Sequence, residues 1–379
     1  MPCWTHCGTA ACGRSRCLLR RTVSGAGCRR PVLNPRNWFL GLFGLQPRQK
    51  SGAHRRRGPA THVIILDGTM SSLSQGNATN AGRTFKLLRE VGQRANLTVY
   101  YEAGIQWTDW YQTWDVMTGR GMNRQIRRAY GVLASRYRPG DTIILMGYSR
   151  GAFAVRSLAG LIGRIGLLKH DEATVSAVRT AYRHYQAGGG SEAASAFRRL
   201  LCHDDVQIEA VGVWDTVKAL GRRTPLDRAD HHGFHDHRLG RHVRYGFHAL
   251  ALDERRNVYR PVMWDTSLDG DAVVEQVWFR GTHGDVGGQV GAYPPARPLA
   301  NIPLVWMLEK INACGVPLPD GWKDRFPCDS SAPSIGQWHG WAKVFLLRQP
   351  RAILFDPSER LHDSIAPVVF DQPDAAYQP

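Results

Sequence analysis

The stretch from Thr142 to Leu168 constrains the fold more than any other. Thr142-Ile143-Ile144-Leu145-Met146 is nearly all apolar, Gly147-Tyr148-Ser149-Arg150-Gly151 follows at once, and an Ala- and Leu-rich segment runs on to Leu168. A buried strand that enters a helix through this pentapeptide must turn sharply, with the serine at the apex in a strained backbone conformation. Gly147 and Gly151 are expected to flank the turn because side chains there would collide with the neighbouring strand and helix. Ser149 Oγ is then held above the sheet. The N–H of Arg150, at the helix start, points toward a developing oxyanion, aided by the positive end of the helix dipole. A lone G-x-S-x-G is weak evidence, since glycine and serine are common. Its strand–turn–helix setting is what makes it specific.

The rest of the body repeats the alternation. His62–Leu66, Leu97–Tyr101, Ile208–Trp214 and Val273–Phe279 read as further strands. Helices are expected over 81–93, 121–137, 171–200 (interrupted by Gly188-Gly189-Gly190) and 299–313. The second of these carries Ile126, Tyr130, Leu133 and Tyr137 on one face. Apolar strands alternating with helices imply a mostly parallel sheet with helices on both faces; together with the serine turn, the expected class is α/β-hydrolase-like. Residues 166–207 and 222–265 interrupt the pattern and are expected to be insertions forming a helical cap over the sheet. The domain is expected to span 59–330. The Pro-rich 331–379 reads as an extension that is packed on it or partly irregular.

A serine hydroxyl is a poor nucleophile near neutral pH and needs a histidine base oriented by a carboxylate. On this fold they follow the serine in the order acid, then base, each at the C-terminal end of a strand. Asp215 ends the fourth strand, and His283 follows the last one in His283-Gly284-Asp285-Val286-Gly287-Gly288. Asp215 could instead cap a turn before Thr216. Asp285 competes for the acid role, but its nearness to His283 suits it better to shaping the glycine-rich loop. A second oxyanion donor is expected in the loop after the first strand, from the backbone N–H of Gly68, Thr69 or Met70. Asp67 is expected to tie that loop together.

Charge could suggest a different function. The chain carries 49 Lys and Arg against 32 Asp and Glu, a net +17, as expected for a protein of nucleic acids or membrane surfaces. Residues 1–57, however, hold 12 of those cations and no acid, leaving a body of ordinary charge. Nucleic-acid binding thereby loses its main support. A mildly basic body is compatible with an anionic lipid surface without demanding one. Residues 1–58 are Cys- and Arg-rich and read as a disordered tail or a mis-assigned start. An organellar transit peptide is the less favoured alternative, because no helical period is sustained. No run reaches the roughly 18 apolar residues of a membrane span. Cys202, Cys314 and Cys328 are scattered, which suits a reducing compartment, so a cytoplasmic location is expected, or secretion without a signal peptide.

Other features point elsewhere only weakly. The histidines 231, 232, 235, 237 and 242 lie among glycines and arginines and make a poor zinc set. Trp107, Trp110 and Trp114 suit an acyl pocket or plain packing equally. Asp67 lacks the second aspartate two residues earlier that phosphotransfer would need; Ile65 stands there.

Four ordered motifs together resemble a known family. Asp67-Gly68-Thr69, Gly147-Tyr148-Ser149-Arg150-Gly151-Ala152, Val213-Trp214-Asp215-Thr216-Val217 and Trp278-Phe279-Arg280-Gly281-Thr282-His283-Gly284-Asp285-Val286-Gly287-Gly288 are similar to the bacterial DUF2235 family. That family is the catalytic domain of type VI secretion phospholipase effectors (lipase effector family one). The resemblance covers about 60–310. It implies an α/β-hydrolase with Ser149 as nucleophile, Asp215 as acid and His283 as base, and an ester or lipid substrate. The expected activity is a carboxylic ester hydrolase of lipase or phospholipase type, working through an acyl-enzyme without metal or organic cofactor. The alternatives are hydrolysis of a non-lipid ester, thioester or amide, and an interaction protein on a degenerate hydrolase fold.

Overall fold

The computed structural model describes residues 58–74, 76–92, 96–104, 120–217, 239–266, 272–291, 293–336 and 347–365. Their centre is a sheet of β1 (Thr61–Leu66), β2 (Leu97–Glu102), β3 (Thr142–Tyr148), β4 (Ile208–Trp214), β5 (Val243–Ala251), β6 (Val273–Phe279) and β7 (Glu359–Leu361). The order is β2-β1-β3-β4-β5-β6-β7, and every neighbouring pair is parallel.

Parallel strands are covered on both faces, so their residues divide by alternation. Ile64, Leu66, Ile143 and Leu145 face α2 (Arg120–Ala134) and α3 (Arg150–Ile165) in one apolar cluster. Val63, Ile65, Ile144 and Met146 face α1 (Asn80–Val91) and α7 (Arg297–Ala313) in the other. Between β6 and α7 lies the short α6 (His283–Gly287).

Three boundaries differ from the sequence reading. The excursion 166–207 is helical, as α4 (Val175–Gln186) and α5 (Glu192–Leu201), but it does not lie over the strand ends. Lys169 and His203 N–H donate to the carbonyls of Leu201 and Leu167, closing its base. Tyr182, Tyr185 and Phe197 bury against the α2–α3 layer, because one side of each helix is apolar and that layer offers an apolar outer surface.

The segment 222–265 is not an insertion throughout: residues 243–251 form β5, in register with β4 and β6. Arg244, Tyr245 and His248 interrupt its apolar run and hide it from a hydropathy reading. His248 is fully buried and accepts from the Thr216 N–H at 3.1 Å.

The domain also does not end at 330. β7 joins the sheet edge, and Glu359 accepts from the Trp278 indole N–H at 2.8 Å.

Register then builds the site. Leu66 pairs with Gly147, Tyr148 with Trp214, and Trp214 with Ala249, so the chain leaves the sheet at Asp67, Ser149 and Asp215 in one row. β1 and β3 are adjacent while β2 lies outside β1, so the strand order reverses at that crevice. Open α/β sheets carry ligands at such a switch point.

Candidate active site

Ser149 occupies the tip of the β3–α3 turn with φ 56° and ψ −121°, a conformation that L-residues rarely adopt. The two flanking glycines are required by contact. A Cβ on Gly147 would lie 2.6 Å from the Gly151 carbonyl oxygen, and one on Gly151 would lie 2.2 Å from that of Leu66. The turn is pinned by the Ser149 N–H, which donates to Trp214 O at 3.0 Å.

The structure brings Ser149, His283 and Asp215 together. His283 Nε2 is 2.9 Å from Ser149 Oγ, and Nδ1 is 2.6 Å from Asp215 Oδ2. Asp215 is fully buried, with Ser149 and His283 only 6% and 5% exposed, so all three are largely removed from water. Burial alone would raise the Asp215 carboxyl. The Arg351 guanidinium and the hydrogen bond from His283 outweigh it and hold the group well below the ordinary carboxylate range. An ionised carboxylate can only accept, so Nδ1 carries the proton and the Nε2 lone pair faces the serine hydroxyl.

His283 opens α6, where Thr282 and Asp285 form a reciprocal capping box. Asp285 Oδ2 accepts from Thr282 N (2.7 Å), Thr282 Oγ1 (2.8 Å) and Ser334 Oγ (2.5 Å), and Oδ1 from Ile335 N (3.0 Å). It shapes the loop, and Asp215 is the carboxylate on the imidazole. The imidazole ring itself stacks with Tyr148, at 5.0 Å, and with Tyr259, at 4.5 Å. Its backbone N–H donates to Glu254 Oε2 at 3.1 Å. Burial would raise Glu254 too, but its hydrogen bonds and ion pair with Arg256 pull it below its ordinary value. Arg256 in turn lies over the Tyr259 ring at 4.5 Å.

The loop after β1 is organised by Asp67. Its Oδ2 accepts from Thr79 Oγ1 (2.6 Å) and Tyr101 OH (2.7 Å), while Oδ1 accepts from the Gly68 N–H at 2.7 Å. Burial outweighs these hydrogen bonds and raises the carboxyl. Gly68 is thereby corrected as an oxyanion donor, since its amide is turned onto Asp67. The amides of Thr69 and Met70 remain as loop candidates beside that of Arg150, the first residue of α3, which lies ahead of the helical hydrogen-bond ladder.

Tyr148, Glu254, Tyr259 and Arg351 escaped the sequence reading. Tyr148 lay inside the motif as its variable letter; the others carry no local signal. Trp107, Trp110, Trp114 and the histidines 231, 232, 235 and 237 fall outside the described residues. His242 Nε2 is 2.8 Å from the Ala159 carbonyl oxygen. Among the described residues no group of three or more His, Cys, Asp or Glu could hold a metal, and no helix is long and apolar enough to cross a membrane.

A parallel sheet with a serine at a strand–helix turn, a buried carboxylate after β4 and an imidazole after β6 places the protein in the α/β-hydrolase-like class. The chain belongs to the family described as T6SS, Phospholipase effector Tle1-like, catalytic domain, which it matches over residues 61–310. It is 27% identical over 257 residues to the uncharacterized protein YEL023C of Saccharomyces cerevisiae, covering 59% of this chain and 36% of that protein. A crystal structure of an uncharacterized protein from Pseudomonas aeruginosa is 15% identical, with a TM-score of 0.44 over 71% of this chain and 49% of that one. The structure of the Tle1 effector bound to the VgrG spike from the Type 6 secretion system is 17% identical, with a TM-score of 0.32 over 61% and 51% of the two chains. The chain thus spans about a third of the yeast protein and about half of each solved chain.

Proposed function

We propose that this protein is a serine hydrolase that cleaves a carboxylic ester of a lipid, of phospholipase type. The observation that carries the reading is the unbroken path from Ser149 Oγ through His283 to Asp215, at 2.9 and 2.6 Å. Family membership favours a lipid ester over other acyl substrates.

In this reading Ser149 Oγ attacks the ester carbonyl carbon while His283 Nε2 takes the hydroxyl proton. The imidazolium so formed is stabilised by Asp215 through the Nδ1–H bond. The carbonyl oxygen becomes an oxyanion and is held by the amide of Arg150 and an amide of Thr69 or Met70. Collapse breaks the ester C–O bond, and His283 returns its proton to the leaving alcohol. Water then repeats the sequence: His283 takes its proton, the hydroxide equivalent attacks the acyl carbon, and Ser149 Oγ leaves reprotonated.

A fluorophosphonate probe, with a panel of phospholipids and soluble esters, tests this. Wild type is expected to be labelled and to release fatty acid from phospholipid, and Ser149→Ala is expected to do neither. Labelling that persists in Ser149→Ala removes the nucleophile. Cleavage of soluble esters with no release from phospholipid moves the substrate to a non-lipid ester.

A further inference from the structure

The geometry points to Arg351 as a positioning residue of this site, and to the segment 347–365, beyond the matched family region, as the part of the chain that completes it. The inference rests on the proposed roles of Ser149, His283 and Asp215.

Arg351 meets Asp215 as a fork: Nη1 donates to Oδ1 at 2.6 Å and Nη2 to Oδ2 at 2.9 Å. Each terminal nitrogen has a second hydrogen, and both are used. Nη1 donates to the Ala251 carbonyl at 2.8 Å and Nη2 to that of Tyr259 at 2.5 Å. The side chain is 4% exposed. One planar guanidinium therefore fixes the carboxylate, the end of β5 and the backbone of the tyrosine that stacks on His283. An ammonium on a flexible stem presents a single point of donors and cannot reproduce the fork.

The segment is also tied down by contacts that do not involve Asp215. The Gln349 N–H donates to Arg255 O at 2.7 Å, and the Asn257 N–H to Leu347 O at 3.1 Å, around an antiparallel bridge between Arg256 and Arg348. Asp356 accepts from the Thr266 amide at 2.8 Å, and β7 follows on the sheet edge.

Two consequences follow from this geometry. A carboxylate without solvent and without a cation would take up a proton and stop accepting from Nδ1–H; Arg351 keeps it ionised and squarely oriented. Arg351 also draws on the same negative charge that would stabilise the imidazolium. Removing it therefore lets the Asp215–His283 pair take up its proton at higher pH.

The full chain carrying Arg351→Gln or Arg351→Lys is compared with wild type on p-nitrophenyl butyrate across pH, with fluorophosphonate titration of active sites and thermal melts. Arg351→Gln is expected to lower kcat on the order of 100-fold through misplacement of the base, with KM changed far less. The acidic limb of its kcat/KM profile is expected to move to higher pH, because a neighbouring cation is gone. Arg351→Lys keeps the charge without the fork, so the limb stays near wild type while kcat recovers only in part. A folded Arg351→Gln with wild-type kcat and an unmoved limb overturns the inference and leaves Arg351 as packing. Should Arg351→Gln not fold, Arg351→Lys decides: reduced kcat with an unmoved limb supports positioning, and full kcat overturns it. If neither folds, Arg351 is a keystone of the fold and the positioning role is overturned. Wild type without Ser149-dependent turnover fails at the earlier step, the hydrolase reading itself.

Discussion

The two sides of the candidate site are built by different means. The serine side, β1–β3–α3, is held by backbone: two glycines at contact distance, a left-handed serine, and an amide bonded to the next strand. The carboxylate–imidazole side, at the ends of β4, β5 and β6, is held by side-chain charge, with Glu254, Arg256 and Arg351 buried around Asp215 and His283. The first side is steric and local in sequence. The second is electrostatic and assembled from remote segments. The two should therefore fail differently when perturbed.

Ser149→Ala gives the largest expected effect. Ester turnover and probe labelling fall by at least roughly 10⁴-fold, while the thermal melt barely moves, because no charge is left unpaired. Asp215→Asn is expected to lower kcat by about 10⁴-fold through the wrong tautomer. It should also cost about 3–5 kcal/mol in urea unfolding, since the buried Arg351 loses its counter-charge. A stability loss in the serine variant as large as in the aspartate variant would erase the contrast between the two sides.

Gly151→Ala sharpens the steric side. Its methyl would lie 2.2 Å from the Leu66 carbonyl oxygen. The expected cost is about 1–3 kcal/mol by urea unfolding, with a displaced elbow and weaker turnover.

Acid tests the electrostatic side. Asp215 and Glu254 are both held below their ordinary values of 3.8 and 4.5. A folded-state value below the unfolded one gives stability that is complete above the unfolded value and is lost as pH falls through the folded one. Wild-type urea midpoints should therefore drop from about pH 4.5 downward. Arg351→Gln should be less stable than wild type near neutral pH and lose less on acidification, because burial then acts on Asp215 without the cation and brings its folded-state value up toward or past the unfolded one.

The smallest effect is expected from deleting residues 1–57. The segment carries 12 of the net 17 positive charges and lies outside the matched family region, so hydrolysis of a soluble ester is expected to stay at the wild-type rate per titrated active site.

The same contrast explains what could be read from the residues alone. The elbow, five of the seven strands and the positions of Asp215 and His283 were legible, because apolar runs ending in Gly, Ser or Asp signal where a strand stops. Asp67 and Asp285 were also legible as loop-shaping groups. β5 was not, since Arg244, Tyr245 and His248 break its apolar run. Arg351 was not legible either, standing 136 residues from the aspartate it holds in a Pro-rich stretch without periodicity. Gly68 was misjudged because a side chain one residue away, that of Asp67, decides where its amide turns. Backbone constraints leave local marks in a sequence, whereas a charge pair formed by tertiary contact leaves none.

Tyr148 carries one more consequence. Motif notation treats the residue before the nucleophile as a wildcard, yet here it is fully buried. Its ring stacks on the imidazole at 5.0 Å, and its hydroxyl donates to the His283 carbonyl at 3.2 Å. Gly287 approaches so closely that a Cβ there would sit 1.9 Å from the ring. The position pins the strand that leads into Ser149 to the helix that opens with His283. A graft of this pentapeptide onto another sheet would carry over the turn but lose the base's seat, unless a glycine-faced helix came with it.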